Sequence, residues 1–149
     1  MNDQSVQWFF AGVAEMRAIF SFAVRGNKRP VPRMIMQTTD NMLLLQEFCR
    51  VIGISDKLWD YPPSSLVGSQ KTRYMIRADG DTVYEKVIPF FDAFPMRGAK
   101  AKQYDIWREI ALGLQRGEYE GADGLKRFRE RWAQKSPDRP AAGRKARSK

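Results

Sequence analysis

The sequence predicts an α+β domain, in which helices cover one face of a four-stranded antiparallel sheet and further helices follow at the C-terminus. Two observations support this prediction. Segments with helical spacing and segments with strand alternation follow one another in the order helix, hairpin, helix, hairpin, helix, helix, helix. The chain has 149 residues, of which 43% are hydrophobic, and this length suits one domain with its own core.

The first helix is predicted over residues 5–18, with Asp3 or Ser5 as its N-terminal cap. Its apolar side chains recur every three or four residues, which is the spacing of one helix face. Small residues interrupt the pattern at Ala11 and Gly12, and they indicate that another backbone approaches the helix closely.

The first hairpin follows directly. Ile19–Arg25 and Arg33–Thr38 each alternate in side-chain character, and the basic turn of residues 26–30 joins them. The polar positions of this hairpin fall on the face opposite its apolar ones.

The second hairpin is harder to place. Residues 40–52 return to helical spacing, and Gly53 favours the end of that helix. Residues 54–70 are broken by two prolines and contain only a weak strand pattern at Ser65–Gln70. The alternation of Lys71–Ala78 predicts a clearer strand.

Three helices complete the predicted domain, over residues 81–94, 101–114 and 124–134. Pro89 is expected to shift or kink the first of them, because proline has no backbone N–H to donate.

The charge of the chain indicates a polyanionic partner. Lys and Arg number 26 against 17 acidic residues, for a net charge of +9. Residues 1–134 form the predicted domain. Residues 135–149 hold six basic residues and one acidic residue, and we predict a disordered basic tail that adds phosphate contacts without sequence preference.

Composition also excludes several classes of function. The chain has no His, so it lacks a His general base, and Ser-His-Asp and Cys-His nucleophile systems are excluded. Its single Cys, Cys49, cannot form an internal disulfide. No apolar run is long enough to span a bilayer, and the N-terminus lacks the basic region of a secretory signal. We therefore expect a protein with no cofactor, no metal and no membrane contact. The expected location is cytoplasmic, and nucleoid-associated in a bacterium, while an organellar or nuclear location stays open.

Residues 10–22, FAGVAEMRAIFSF, resemble a degenerate LAGLIDADG motif, the signature helix of a homing endonuclease family. Ala11-Gly12 and Phe20-Ser21-Phe22 match that pattern without a gap. Further resemblance covers the second strand and second helix, the last strand, the third helix and the basic stretch that ends at Lys100. Together these segments span about residues 8–133.

The resemblance implies an αββαββα core whose saddle-shaped sheet straddles duplex DNA in the major groove. Single-motif members pair as symmetric homodimers through their motif helices, whereas two-motif members fuse both halves in one chain. One motif fits this sequence, so a homodimer is implied. Its expected interface residues are Phe10, Ala11, Gly12, Val13 and Met16.

One departure from the motif bears on catalysis. The second motif acid, which binds the catalytic metal in the family, is replaced by Arg17. A guanidinium cannot coordinate a cation, so we expect no cleavage, although Glu15 keeps the first acid. Arg17 either complements the helix dipole or contacts a DNA phosphate.

The candidate DNA-binding residues divide by role. Arginine suits guanine and glutamine suits adenine in the major groove, while lysines and loop arginines suit phosphates. The expected base readers are Arg25, Arg33, Gln37, Arg73 and Arg77, and the expected phosphate contacts are Lys28, Arg29, Lys71, Lys100 and Lys102. An ordinary solvated sheet face would show the same alternation.

Three functions stay open from the sequence. The first is a catalytically inactive, sequence-specific DNA-binding protein with a regulatory role. The second is an RNA-splicing maturase, since family members can lose cleavage and keep RNA binding. The third is a residual Mg²⁺-dependent nuclease that uses Glu15 or another acid such as Asp79 or Asp81.

Overall fold

The computed structural model describes residues 4–26, 28–61 and 71–135. The predicted α+β class is confirmed: one antiparallel sheet of four strands is packed against helices. The elements in chain order are α1 (Ser5–Arg17), β1 (Ala18–Ala23), β2 (Val31–Thr39), α2 (Met42–Ile52), β3 (Trp59–Tyr61), β4 (Arg73–Asp79), a π-helical turn (Val83–Val87), α3 (Ile88–Ala93), α4 (Ala99–Gln115) and α5 (Gly121–Ala133).

The sheet has the strand order β1-β2-β4-β3, so the two hairpins are joined by the pairing of their second strands, β2 and β4. In the register, Ser21 of β1 lies opposite Arg33 of β2, and Arg33 in turn lies opposite Asp79 of β4. β1 is an edge strand, and two side chains of α4 bond to its backbone. Trp107 donates its indole N–H to the Ser21 carbonyl at 2.8 Å, and Lys100 donates to the Ala18 carbonyl.

The core lies between the sheet and the helices. Along β2, Met34 and Met36 are fully buried, and Arg33 and Gln37 alternate with them toward the opposite face. Aromatic rings fill the space under α4, where Phe20 packs against Trp107 with ring centroids 4.9 Å apart. A second cluster of buried residues joins α4 to α5.

Several local predictions are confirmed. Gly53 adopts a left-handed conformation with φ 86° and ends α2, as expected. The predicted perturbation at Pro89 is also observed, since the turn just before it is π-helical and not α-helical. A proline at this position cannot donate a hydrogen bond to the carbonyl four residues earlier.

Other local predictions differ from the structure, and two concern residues outside the described ranges. β1 ends at Ala23, so Arg25 lies in the connection to β2 and not on the strand. Gln4 is the N-cap of α1, without a side-chain cap bond; Asp3 falls outside the described residues. The second hairpin uses the short strand β3, while the predicted strand Ser65–Gln70 also falls outside them.

Apart from Lys135, the predicted tail lies outside the described residues as well. Within the described ranges, no helix is both long and apolar enough to cross a membrane.

Candidate nucleic-acid interface

The outer face of the sheet, opposite the helices, carries most of the predicted base readers. Arg33 and Gln37 project from β2, and Arg73 and Arg77 share their face on β4, as the strand register requires. Gln37 lies across from Met75, and its amide nitrogen is 3.8 Å from the Met75 sulfur. The structure therefore brings four of the five predicted base readers together on one surface.

One acidic residue joins two of these arginines. Arg33 donates from Nε to Asp79 Oδ1 at 2.6 Å, and Arg77 forms an ion pair in which its Nε lies 3.0 Å from Asp79 Oδ2. All three side chains are partly exposed, with between 22% and 36% of each side-chain surface open to solvent. The pairing holds the two guanidinium groups beside each other at one end of the face.

Aromatic side chains of β3, which are not among the residues predicted from the sequence, extend the same face. The Arg77 guanidinium lies 5.0 Å from the ring centroid of Trp59, and the Arg73 guanidinium lies 5.6 Å from that of Tyr61. These are cation–π distances. The signal was available, because Trp59 and Tyr61 are two residues apart, the spacing that places side chains on one face of a strand.

The connection between β1 and β2 forms a basic rim at one end of the face. Arg25 and Lys28 line a shallow cleft there with Arg33 and Asp79. Arg29 also reaches this cleft, yet its guanidinium is 3.8 Å from Glu120, just before α5. The position of Arg25 therefore suits a contact from the rim better than one from the sheet.

The predicted phosphate-binding lysines are dispersed. Lys71 is exposed just before β4, with its ammonium 3.8 Å from Asp40. Lys102 is exposed on α4. Lys100 lies in the first turn of α4 and bonds to the Ala18 carbonyl; burial lowers the pKa of its ammonium, and the charge of Glu15 acts in the opposite direction. Lys100 is thus engaged by the end of α1.

The C-terminal end of α1 holds the two positions that the sequence aligns with the acids of the motif. Glu15 accepts a hydrogen bond from the Arg97 backbone N–H at 3.2 Å, and its carboxylate packs against Gly98. Arg17 is exposed at the last position of the helix, and its side chain makes no hydrogen bond or ion pair with another described residue. One engaged carboxylate beside a guanidinium is a donor set that does not fit a divalent cation.

Metal ligands are also absent from the rest of the structure that can be described. Across residues 4–26, 28–61 and 71–135, no group of three or more acidic or cysteine side chains lies close enough to hold a metal ion.

The outer surface of α1 is apolar, but its residues differ from those expected. Phe10 and Ala11 are buried against the core, where Phe10 packs on Phe48 with ring centroids 5.7 Å apart. Met16 is 79% exposed and Phe9 57% exposed. The assignment of Phe10 and Ala11 to an interface is therefore wrong, because residues 10, 11 and 14 form the face of the helix that covers the sheet.

Gly12 lies in the middle of the exposed face, and Val13 lies at its border, half-buried against the core. A Cβ atom at Gly12 would meet no other atom within 4 Å. We use "the α1 outer face" for the exposed surface formed by Val6, Phe9, Gly12 and Met16.

Solved structures with the same arrangement decide the fold. I-LtrWI, a LAGLIDADG homing endonuclease bound to target DNA, matches with a TM-score of 0.72 and 12% identity, over 84% of this chain and 42% of its own. I-GzeII, a LAGLIDADG homing endonuclease in complex with its DNA target, matches with a TM-score of 0.69 and 18% identity, over 90% and 44%. The chain has the LAGLIDADG homing endonuclease fold.

The matched structures differ in how much of their length this chain covers. This chain spans less than half of I-LtrWI and I-GzeII. It spans 86% of the homing endonuclease I-TnaI, which matches 86% of this chain with a TM-score of 0.70 and 18% identity. No family model and no curated protein matches the sequence, so the likeness to the LAGLIDADG fold is carried by structure.

Proposed function

We propose that this protein binds double-stranded DNA sequence-specifically through the outer face of its sheet, as a homodimer and without cleaving it, in a regulatory role. The observation that carries the proposal is the set of three arginines and one glutamine on a single face of a twisted sheet. A two-stranded or wider β-ribbon fits the major groove, where arginine and glutamine forks recognise guanine and adenine edges.

The charge of this face supports the proposal. Among the described residues of the face, Arg33, Arg73 and Arg77 outnumber the one acid, Asp79. The rim adds Arg25 and Lys28 at the end where two of the arginines lie. The DNA complexes of I-LtrWI and I-GzeII have the same fold, which makes duplex DNA the first partner to test.

The α1 outer face supports the homodimer. Monomers rarely expose large contiguous apolar patches, whereas Val6, Phe9 and Met16 are all exposed on one face of α1. A two-fold pairing through this face would bury both copies of the patch and place two sheets side by side. Gly12 leaves room for a close crossing of the two helices, while the bulk of Met16 sets how close they come.

The absence of cleavage rests on the end of α1. Phosphodiester hydrolysis of this kind needs carboxylates that hold a divalent cation against the phosphate. Arg17 supplies a positive charge there, and Glu15 is already bonded to the Arg97 N–H. The same Arg17 charge attracts a phosphate, which suits binding without chemistry.

Selection from a random pool of duplex DNA tests specific binding. At moderate salt we expect an enriched pseudo-palindromic site, since a two-fold dimer presents the same readers twice. Sedimentation should give two chains per selected duplex. A pool without an enriched site, or stronger competition by structured RNA than by duplex DNA, would contradict the proposal.

Gly12→Leu tests the dimer, because a leucine side chain would separate the two helices. We expect this variant to sediment as a monomer at micromolar concentration and to lose the two-to-one complex. Ala122→Leu is the matched control, since Ala122 is exposed on a different helix, α5. Equal behaviour of the two variants would refute an interface at α1.

Incubation of the selected site with Mg²⁺ tests the absence of cleavage. We expect no nicked product from the wild-type protein. Nicking that Glu15→Gln abolishes would show that the protein is a nuclease.

A further inference from the structure

Asp79 occupies an unusual position for an acid on a surface that is proposed to meet DNA. It ends β4, directly opposite Arg33 in the register and two residues after Arg77 on the same strand. Its Oδ1 accepts a hydrogen bond from Arg33 Nε at 2.6 Å, and its Oδ2 lies 3.0 Å from Arg77 Nε in an ion pair. A carboxylate that faced DNA without such partners would only repel phosphates.

The geometry of these contacts leaves both arginines able to bind a base edge. Both use Nε for their short contact with Asp79. Arg33 also donates from Nη2 to Asp79 Oδ2 across a long distance of 3.5 Å. The terminal nitrogens of Arg77 make no hydrogen bond or ion pair with another described residue. The outer end of each guanidinium, which forms the bidentate bond to a guanine edge, is therefore open.

A second contact restricts Arg77. Its guanidinium also lies over the Trp59 ring. Held by a carboxylate at Nε and by an aromatic ring, the side chain loses much of its rotamer freedom before any ligand arrives. An ordered side chain pays less entropy on binding than a mobile one.

We infer that Asp79 is a positioning residue, which orients Arg33 and Arg77 as a paired reader of two nearby guanines in the DNA site. The inference rests on the proposed function and specifies what its sheet face recognises. Arg33 and Arg77 are diagonal neighbours across two strands, so their backbones lie about 7–8 Å apart. Base pairs rise by about 3.4 Å, so the two guanines fall within roughly two base pairs of each other.

Asp79 also has an effect on unselected DNA. Its negative charge opposes phosphate at the centre of the cationic cluster, so it weakens contacts that carry no sequence information. Where guanine edges are present, the arginines donate hydrogen bonds to them and keep their contacts with Asp79. The carboxylate thereby raises specificity through both effects.

Asp79→Ala, compared with the wild-type protein in the same duplex selection, tests the inference. In the wild-type site we expect two guanines in each half-site, within two base pairs of each other, whose replacement weakens binding about 5- to 100-fold. In Asp79→Ala we expect that preference to fall to about 3-fold or less, while affinity for random duplex DNA rises about 2- to 5-fold. Arg33→Lys and Arg77→Lys should each lose one of the two guanines, because lysine keeps the charge but lacks the fork.

Asp81→Ala is the matched control, since it removes the same charge two residues later, from an exposed position that bonds to neither arginine. It should leave the guanine preference unchanged. Circular dichroism and thermal unfolding show whether each variant folds, and Asp79→Asn gives a second, smaller change at the same site. We expect Asp79→Asn to weaken the preference less than Asp79→Ala.

The outcomes separate the two claims. No enriched site for the wild-type protein would reject the proposed function itself. An enriched site without paired guanines, or with paired guanines to which Asp79→Ala is indifferent, would overturn the inference and leave the proposed function standing.

Discussion

Arg17 and Lys100 place two cations at the point where α1 becomes β1. Lys100 bonds to the Ala18 carbonyl and so satisfies a backbone acceptor at the helix end. Arg17, one residue earlier, is exposed and has no partner among the described residues. A cation at this end of a helix gains about 0.3–1 kcal/mol from the helix dipole. Its free guanidinium is the group that remains for an external anion.

Cys49 is an unreactive thiol because of its position in the fold. Its side chain is buried in α2, and this burial raises the pKa of the thiol to about 11. Below about pH 8.5 the thiol is protonated in both the folded and the unfolded chain, so its contribution to the free energy of unfolding is fully present. That contribution is lost as the pH rises through about 11, because the unfolded chain ionises its thiol first.

We expect Cys49 to resist alkylation at pH 8 in the folded protein and to react fully once guanidinium chloride unfolds the chain. Alkylation followed by mass spectrometry measures both rates. Fast labelling under native conditions would contradict the buried placement of this thiol.

At the residue scale, alternation predicted some positions well. Arg33, Gln37 and Arg73 were placed on the outer face because one face of their strands is apolar. The same reasoning failed for Phe10 and Ala11. α1 is apolar on both its core side and its outer side, so the sequence pattern could not show which of these residues face the core.

At the element scale, β3 shows where sequence patterns become insufficient. It has only three residues, and these form a strand because they pair with β4 in the folded protein. Three residues give too short an alternation to predict a strand. Trp59 and Tyr61 reach the candidate interface only because β4 fixes their register. Longer elements such as α2, whose cap at Asn41 and stop at Gly53 are local features, are easier to predict.

The contact between α5 and the turn before it depends on one small residue. A Cβ atom at Gly124 would lie 2.3 Å from the backbone carbon of Tyr119. Backbone cannot yield as a flexible side chain does, so Gly124→Ala should destabilise the protein by about 1–3 kcal/mol. Helix propensity alone would make the same change stabilising by about 1 kcal/mol.

Denaturant unfolding of Gly124→Ala measures this difference. Ala122→Gly in the same helix isolates propensity and should cost about 0.5–1 kcal/mol, because Ala122 is exposed. A stabilised Gly124→Ala would contradict the close packing of α5 on the Tyr119 turn.

At the scale of the whole molecule, the core separates two surfaces of different chemistry. The sheet presents a cationic and aromatic face, and α1 presents an apolar face. Such a division suits a protein that binds a polyanion with the first surface and a second copy of itself with the other. The order of helices and hairpins is predictable from local periodicity, whereas the buried side of α1 and the aromatic residues that join the sheet face are set by tertiary packing.

Charge reversal on the sheet face tests whether the sheet, and not the positive charge of the chain as a whole, recognises DNA. The variant Arg73→Glu/Arg77→Glu is compared with Lys126→Glu/Arg129→Glu, which makes the same change in net charge at exposed positions of α5. Fluorescence anisotropy on the selected duplex gives both dissociation constants at one salt concentration. We expect the sheet variant to bind at least about 100-fold more weakly and the α5 variant to change by about 3-fold or less. Equal losses in the two variants, or a larger loss in the α5 variant, would contradict DNA recognition by the sheet.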